Sequence, residues 1–593
     1  MGQTNANDNN QNQSYPKLDE RVRVTYAAQS TATNKNSLYA SEIKALRWAS
    51  DRIGEEGVVA FVTNNKFTDG NTADGLRKCM TQEFSHLYVF NMRGSIRGRT
   101  GDDAKKEGQS IFNIMTGTAL LLMVKDPQHQ GACELSYHDI GDYLDREEKL
   151  DIIADFGSIE AVPWQRLTPN ESGDWINQRN PEFEGFVALN NDPRAIFSVR
   201  SRGVETSRDD WVYNFSGSAV AGNMRRMIDF YNSQVAAFGE QCRAAGKDAE
   251  KTAQRLIDTD PKKIKWTGGL IADLGRVRFG ELDESKIGVS IYRPFCKSWI
   301  YYDQQFNHRF KGKLFPSTHH HNLAIIIPTV GGRVDFSCLV VNTLPDLNLM
   351  QGTQCFPLYS YEKAIDEKPK RDLFGDADTP EPDADGYIRH DAITSAALAD
   401  YRAAYARSGE ASITKEDLFY HVYGILHAPD YREKYASDLK KMLPRIPRPA
   451  SVADFWAFSD AGRELADLHL HYETVEPWPL EEVLTSTVED WRVDKMRYAS
   501  RTDKTQIVYN AHLTLKGIPP EALGYVVNGK PAIEWVMERY QVTTDKDSGI
   551  HNDPNTWADE HGDPRYIVDL VKRVVWVSME TVRIVKGLPP ITS

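Results

Sequence analysis

The sequence predicts an α/β region followed by an α+β region that ends in helices. Three observations carry this. Between about residues 38 and 150, short β-branched apolar runs alternate with helical stripes; from about 151 to 360, strand-like and loop-like stretches are crowded with aromatics; beyond about 412, long helical patterns dominate.

The first thirteen residues, MGQTNANDNNQNQ, are almost all Asn, Gln and small polar types, too poor in apolar surface to offset the entropy of ordering them. In LYASEIKALRWASDRI (38–53), Leu38, Ile43, Leu46 and Ile53 form a helical stripe, and Gly54 follows its last turn. GVVAFVTNNKF (57–67) reads as a buried strand ending in polar residues, where a ligand-facing loop belongs. ADGLRKCMTQEF predicts a helix and HLYVFNMRG a strand; a polar, glycine-rich loop then leads to IFNIMTGTALLLMVK, whose ALLLMV core is another buried strand. This alternation predicts a mostly parallel sheet covered on both faces. A nucleotide-binding sheet usually carries a glycine-rich turn after its first strand, and none is present, so residues 1–150 read as the second half of such a domain.

From 151 to 360 the chain mixes strands and loops, as in SIYRPFCKSWIYYDQQFN and FSCLVVNTLPDLNLMQGTQCFPLY. The acidic, Pro- and Ala-rich stretch 361–411 predicts an exposed linker or insertion. The segment 414–447 predicts two helices broken at HAPD and stopped by LPRIPRP, and ADFWAFSDAGRELADLHLHY and PRYIVDLVKRVVWVSMETVRIV predict further amphipathic helices within 412–593.

With 593 residues, 40% of them hydrophobic and 10% aromatic, several domains can each bury a core. No apolar run of about 18 residues and no charged-then-apolar leader occurs, which argues against a membrane span and a secretory signal and leaves the cytoplasm as the default location. The six cysteines are scattered without a C-x-x-C pair, as reduced core residues are. A formal charge of −13 speaks against nucleic-acid binding only if it is spread evenly. It is not: acid is concentrated in DEKPKRDLFGDADTPEPDADG (366–386), whereas KSWIYYDQQFNHRFKGK (297–313) is rich in cations and aromatics.

Two ordered groups of blocks carry a family resemblance. SLYASEIKALRWASDRI, EGVVAFVTNNKF, SHLYVFNMRG and IFNIMTGTALLLMVK resemble the later blocks of DNA methyltransferases that modify adenine N6, those that follow the Asn-Pro-Pro-Tyr motif. IYRPFCKSWIYYDQQFN, TLPDLNLMQGTQCFPLYSY, LFYHVYGILHAPDYREKYASDLKKMLPRIP, DFWAFSDAGRELADLHLHYE, GKPAIEWVMERYQVTTDKDSGIHNDPN and IVDLVKRVVWVSMETVRIV resemble the C-terminal part of type ISP restriction-modification enzymes. The resemblance runs over essentially the whole chain.

It implies that 1–150 is the later half of a Rossmann-like methyltransferase sheet and that 151–360 and 412–593 form the target-recognition region. It also implies double-stranded DNA as partner, S-adenosylmethionine as donor in the complete enzyme, and a missing front half carrying nuclease, translocase, glycine-rich loop and Asn-Pro-Pro-Tyr. Met1 would lie just past that tetrapeptide. The chain alone is expected neither to hold the donor tightly nor to turn over.

Adenine inside a duplex must be flipped out and stacked between flat side chains before its amino group is methylated. By the resemblance, one stacking face falls on Phe112, although burial statistics favour a core role for a lone Phe beside a strand. Tyr39 and Ile43 would edge the donor pocket. Glu42 or Ile43 stands where relatives often have an aromatic, which favours the plain alternative that Tyr39 and Leu38 pack the helix. For DNA contact the candidates are Lys297, Arg309, Lys311 and Lys313, interleaved with Trp299, Tyr301, Tyr302 and Phe306; the alternative is a solvated edge strand with aromatic core residues.

His319, His320 and His321 read as a surface loop, because adjacent residues of an extended chain point to opposite sides and no partner is spaced to complete a metal site. His427 and Asp430 read as turn and cap residues around Pro429, and the carboxylates of DKDSGIHNDPN (545–555) lack the strand that would feed a nuclease site. The rival readings are a stand-alone enzyme and a non-catalytic DNA-binding or interaction subunit of a defence complex.

Overall fold

The computed structural model describes residues 14–32, 34–97, 101–332, 334–364, 381–406, 413–485 and 490–591. The polar leader 1–13, residues 98–100 of the glycine-rich loop, and 365–380 and 407–412 of the acidic stretch lie outside them. The chain forms two compact units, Met1–Phe183 with Ser437–Met442, and Glu184–Ala436 with Leu443–Ser593. The expected border at 150 therefore falls inside the first unit.

In unit 1, helices α1 (Pro16–Val24) and α2 (Ser41–Arg52) precede strand β1 (Gly57–Asn64), and helix α3 (Asp74–Glu83) leads to β2 (His86–Asn91). Strands β3 (Thr118–Lys125) and β4 (Glu134–Asp139), helix α4 (Arg146–Phe156) and strand β5 (Gln165–Leu167) complete it. The sheet order is β1-β3-β2-β4-β5.

Only β2 and β4 pair in parallel; the β1–β3, β2–β3 and β4–β5 pairs are antiparallel, so the expected mostly parallel sheet is not formed. The cause lies in the β2–β3 connection. Among its described residues the one helix is the seven-residue Gly101–Glu107, and the chain turns back beside the strand it left instead of crossing to the far edge. β1, β2 and β4 nevertheless share one direction.

Both faces of the central strands are covered, and the period-2 alternation shows how; β1, expected to be buried, is an edge strand that leaves Val58 62% exposed. Leu87, Val89, Ala119, Leu121 and Met123 face a core built with α2 and α3, whereas Phe90 and Leu120 face a second core with Leu150, Ile153 and Phe156 of α4. Each large aliphatic buried this way contributes about 1.5–3 kcal/mol. Helix α4 is started by a capping box, Asp145 accepting from the Glu148 N–H while Glu148 accepts from the Asp145 N–H.

Unit 2 holds two four-stranded sheets in its first part. One contains β6 (Ile287–Arg293) and β7 (Cys296–Tyr301); the other contains β8 (Ala324–Ile327) and β9 (Gln354–Pro357), with Ser201–Arg202 pairing on β9. The segment 217–244, expected to be strands and loops, is instead one 28-residue helix, α5 (Gly217–Ala244). Its buried stripe of Val220, Met224, Met227, Ile228, Tyr231, Val235 and Cys242 follows the helical period.

Part of the expected linker 361–411 is structured as well. Tyr387–Asp391 pairs with Tyr359–Lys363, and helix α6 (Ser395–Tyr405) buries Ala397, Tyr401 and Tyr405, one per turn. The helical end forms as expected, with α7 (Lys415–His427), α8 (Val452–Leu470) and α9 (Tyr566–Lys586). α7 and α8 cross at two glycines: a Cβ on Gly462 would lie 1.9 Å from the Tyr420 carbonyl oxygen, and one on Gly424 2.1 Å from that of Phe458. Only glycine allows this approach.

Candidate nucleic-acid interface

The carboxyl ends of β1, β2 and β4 lie at one edge of the unit 1 sheet, where Asn64 pairs across from Thr118 and Asn91 from both Ala119 and Asp139. Ligands of open α/β sheets bind at such edges. A polar chain runs along it. Asn65 Nδ2 donates to Asn91 Oδ1 at 2.9 Å, and Asn91 Nδ2 donates to Tyr137 Oη at 3.1 Å and Asp139 Oδ2 at 3.0 Å. Arg93 closes the chain onto Asp139 at 2.5 Å and onto Asp142. The helix before β1 reaches this edge through Glu42, whose carboxylate accepts from Asn64 Nδ2 at 2.7 Å.

Phe112 stands on the loop above this edge. Ser110 accepts from the Asn113 N–H to close a turn, Ile111 packs inward, and Phe112 is left 52% exposed. The loop is held from below by Lys149, 0% exposed, whose ammonium donates to the carbonyls of Met92, Glu107 and Gln109 at 2.9, 3.0 and 2.8 Å. Burial lowers the pKa of that amine. The core role that burial statistics favour for Phe112 is therefore not the one it has.

The donor-pocket candidates fare differently. Ile43 lies in the main core, and Tyr39 packs partly buried against the same cluster. The α2 residue that reaches the strand ends is Glu42, which an apolar-stripe reading passes over.

In unit 2 the aromatics expected among the cations are core: Tyr301, Tyr302 and Phe306 are buried, and Trp299 is half-buried with its indole N–H donated to Glu560 at 3.0 Å. Lys297 is withdrawn too, because its ammonium pairs with Glu473. For Lys297, Trp299 and Tyr301 the reason is that β7 is a central strand; Tyr302 and Phe306 lie just past its end and are buried as well.

Arg309 and Lys313 are exposed beyond that strand, Arg309 with its Nε 3.4 Å from Glu205 Oε2, and Lys311 is half-buried beside Arg309. An antiparallel bridge between Glu205 and Arg309 brings them to the edge strand that carries Arg202, also exposed. Burial, and then the nearby Arg309 and Arg202 charges, push the Lys311 pKa down, against the opposing pull of Glu205. Arg202, about a hundred residues earlier in the chain, is the cation that a contiguous-stretch reading misses. Only strand pairing reveals it.

Among the loop histidines, His319 and His321 are exposed as expected, but His320 is held between Ser317 and Asp383, at 2.8 and 3.1 Å. His427 closes the end of α7 by hydrogen bonding to the Tyr423 carbonyl at 2.9 Å, and Asp545 caps a turn through Ser548.

A strand-edge polar network under an exposed aromatic in unit 1 and a cationic sheet edge in unit 2 are the two candidate surfaces, carried by an α/β sheet followed in sequence by an α+β region. The family model of the Type ISP C-terminal specificity domain matches residues 195–570. The chain belongs to that family.

Three solved structures extend the likeness beyond the matched segment. A nuclease-deletion mutant of the Type ISP restriction-modification enzyme LlaGI, in complex with a DNA substrate mimic, is 36% identical with a TM-score of 0.82, over 98% of this chain and 50% of that one. The ATP-dependent Type ISP enzyme LlaBIII bound to DNA is 35% identical with a TM-score of 0.83, over 99% and 37%. The DrdV–DNA complex is 31% identical with a TM-score of 0.81, over 100% and 56%. The chain thus spans between 37% and 56% of the length of these proteins. No curated protein matches. No described helix is long and apolar enough to cross a membrane.

Proposed function

We propose that this chain is the DNA-recognition and partial methyltransferase portion of a restriction-modification protein that methylates adenine N6 in DNA. The observation that carries the reading is the likeness at 36% identity, over 98% of the chain, to a Type ISP enzyme held on a DNA substrate mimic. Arg202, Arg309, Lys311 and Lys313 fix the duplex through its phosphates, and polar side chains nearby read base edges. Phe112 provides one flat face for a flipped adenine, on a turn that Lys149 keeps rigid.

S-adenosylmethionine supplies the methyl group in the complete enzyme. Its glycine-rich loop and the Asn-Pro-Pro-Tyr acceptors of the adenine amino group are not among these 593 residues and come from a preceding or separately encoded segment. Alone, these residues bind DNA but do not methylate it.

Gel retardation with mixed-sequence duplex, across a salt series, tests the binding half. Retention at low salt that falls steeply as salt rises is expected; no retention at low salt overturns it in favour of an interaction subunit. Transfer of labelled methyl to unmodified DNA tests the other half. No incorporation is expected until the front segment is added, and incorporation by the chain unaided overturns the claim of incompleteness.

A further inference from the structure

At the opposite, amino edge of the unit 1 sheet, three side chains outside the functional reading come together. Parallel pairing sets His86, first residue of β2, directly across from Glu134, first residue of β4. The connection after β3 brings in His129, whose ring centroid lies 4.7 Å from that of His86. His86 Nε2 is 3.6 Å from Glu134 Oε2, and one potential ligand atom from each of the three residues lies within 4.8 Å of the other two.

Hydrogen bonding decides where the lone pairs lie. Ser85 Oγ donates its single proton to the Val124 carbonyl at 2.8 Å and accepts from the Asp126 N–H at 2.9 Å. Towards His86 Nδ1, at 3.2 Å, it can therefore only accept, so Nδ1 carries a hydrogen. A neutral His86 then aims its Nε2 lone pair at a carboxylate oxygen. Two acceptors facing each other at this distance repel, and a cation between them removes the conflict.

His129 has the complementary arrangement. Its Nε2 lies 3.1 Å from the Ala132 carbonyl, which only accepts, so Nε2 holds the proton and Nδ1 keeps the lone pair. Each ring thus has one nitrogen committed to an outer partner and one free to ligate, the pattern that orients metal-bound imidazoles. Arg166 also holds Glu134 Oε2, at 2.5 Å, but it is 59% exposed and free to swing away.

We propose that His86, His129 and Glu134 form a site for a zinc-class divalent cation, with Nε2 of His86, Nδ1 of His129 and a Glu134 oxygen as ligands and water in the fourth position. Tetrahedral zinc with ligands at about 2.0–2.1 Å separates its donor atoms by roughly 3.4 Å, close to the 3.6 Å between His86 Nε2 and Glu134 Oε2. The cation would clip the connection between β3 and β4 to the end of β2.

The test is calorimetric titration of the full chain, stripped with chelator, using Zn²⁺, with the Co²⁺ absorption band as a report of tetrahedral geometry. One equivalent is expected, together with a zinc-dependent rise in melting temperature. Affinity should fall at least tenfold in His86→Gln and in His129→Ala, fall in Glu134→Gln, and rise in Arg166→Ala as the competing cation leaves. All four positions are partly exposed, and circular dichroism confirms that each variant is folded. No binding to the wild type would mean that a proton, not a metal, sits between His86 and Glu134. Undiminished binding in both histidine variants would place the metal on other histidines of the chain. Either result overturns the proposal.

Discussion

The turn that carries Phe112 and the hairpin formed by β6 and β7 both place aromatics in short stretches beside strands, yet they treat them in opposite ways. Phe112 is 52% exposed, whereas Tyr301 is 0% exposed. The difference lies in what each backbone is doing. β7 is a central strand covered on both faces, so alternate aromatics have no outward side. The Phe112 turn lies between two strand ends and uses Ile111 alone as its inward anchor. An aromatic kept exposed on a turn fixed from beneath is the arrangement expected of a binding group; one inside a strand is expected to pack.

The comparison breaks most sharply under truncation. Tyr301→Ala, which removes a buried ring along with the hydroxyl that donates to Glu281 O at 3.3 Å, should destabilise unit 2 by about 3–5 kcal/mol. Denaturant unfolding followed by near-ultraviolet circular dichroism measures this. A cost under 1 kcal/mol would mean that the β7 aromatics are not the core they form here.

Acid should also separate the two units. In unit 2, His421 stacks on Phe455 and His469 on Tyr525, and burial drives both rings down to about 3, whereas His86, His129 and His138 of unit 1 are all partly exposed. The unfolded chain protonates these imidazoles near 6.5, so below that pH it takes up protons that the folded state refuses. Stability of unit 2 therefore falls as pH drops from about 6.5 towards 3, by on the order of 4 kcal/mol per ring over the whole window. His421→Phe should flatten that acid limb, and an unchanged limb would show that His421 is hydrated in the folded state.

A smaller effect distinguishes the cations. Arg309→Ala with Lys311→Ala should weaken duplex binding about tenfold and reduce the slope of log K against log salt by about 1–2, because phosphate contacts act uniformly over sequence. Lys297→Ala should leave that slope unchanged, since its ammonium is held by Glu473. Equal losses from both changes would return Lys297 to the interface.

What was legible in the chain follows the same division. Helix α2, strands β1 to β3 and the helices after 412 were readable because each buries a face at its own period, as Leu87 and Val89 do against Phe90; helix α6 was not, although Ala397, Tyr401 and Tyr405 follow the helical period, because the acidic composition of 361–411 hid them. The parallel sense of the sheet was not readable, because it depends on where a connection returns and not on which residues fill the strands. Helix α5 was missed although its stripe from Val220 to Cys242 is regular; the aromatics around it outweighed the period. Arg202 and Glu42 reach their sites through pairing with distant chain, and no local pattern encodes that.

The smallest expected effect on stability is the most informative for function. Phe112→Ala removes an exposed ring, so it should change unfolding by no more than about 0.5 kcal/mol. Stacking an extruded base on an aromatic is worth about 1–3 kcal/mol, so under the proposed function the same change should slow methyl transfer, assayed with a supplied front segment, by roughly five- to 150-fold. Phe112→Trp, which keeps a flat face, should restore most of the rate. A fluorescent adenine analogue at the target base separates the causes: its emission should rise on flipping with Phe112 present and rise less without it. A several-degree loss of melting temperature in Phe112→Ala, with unchanged fluorescence, would make the ring a packing residue after all. That would erase the contrast between this turn and the β7 strand.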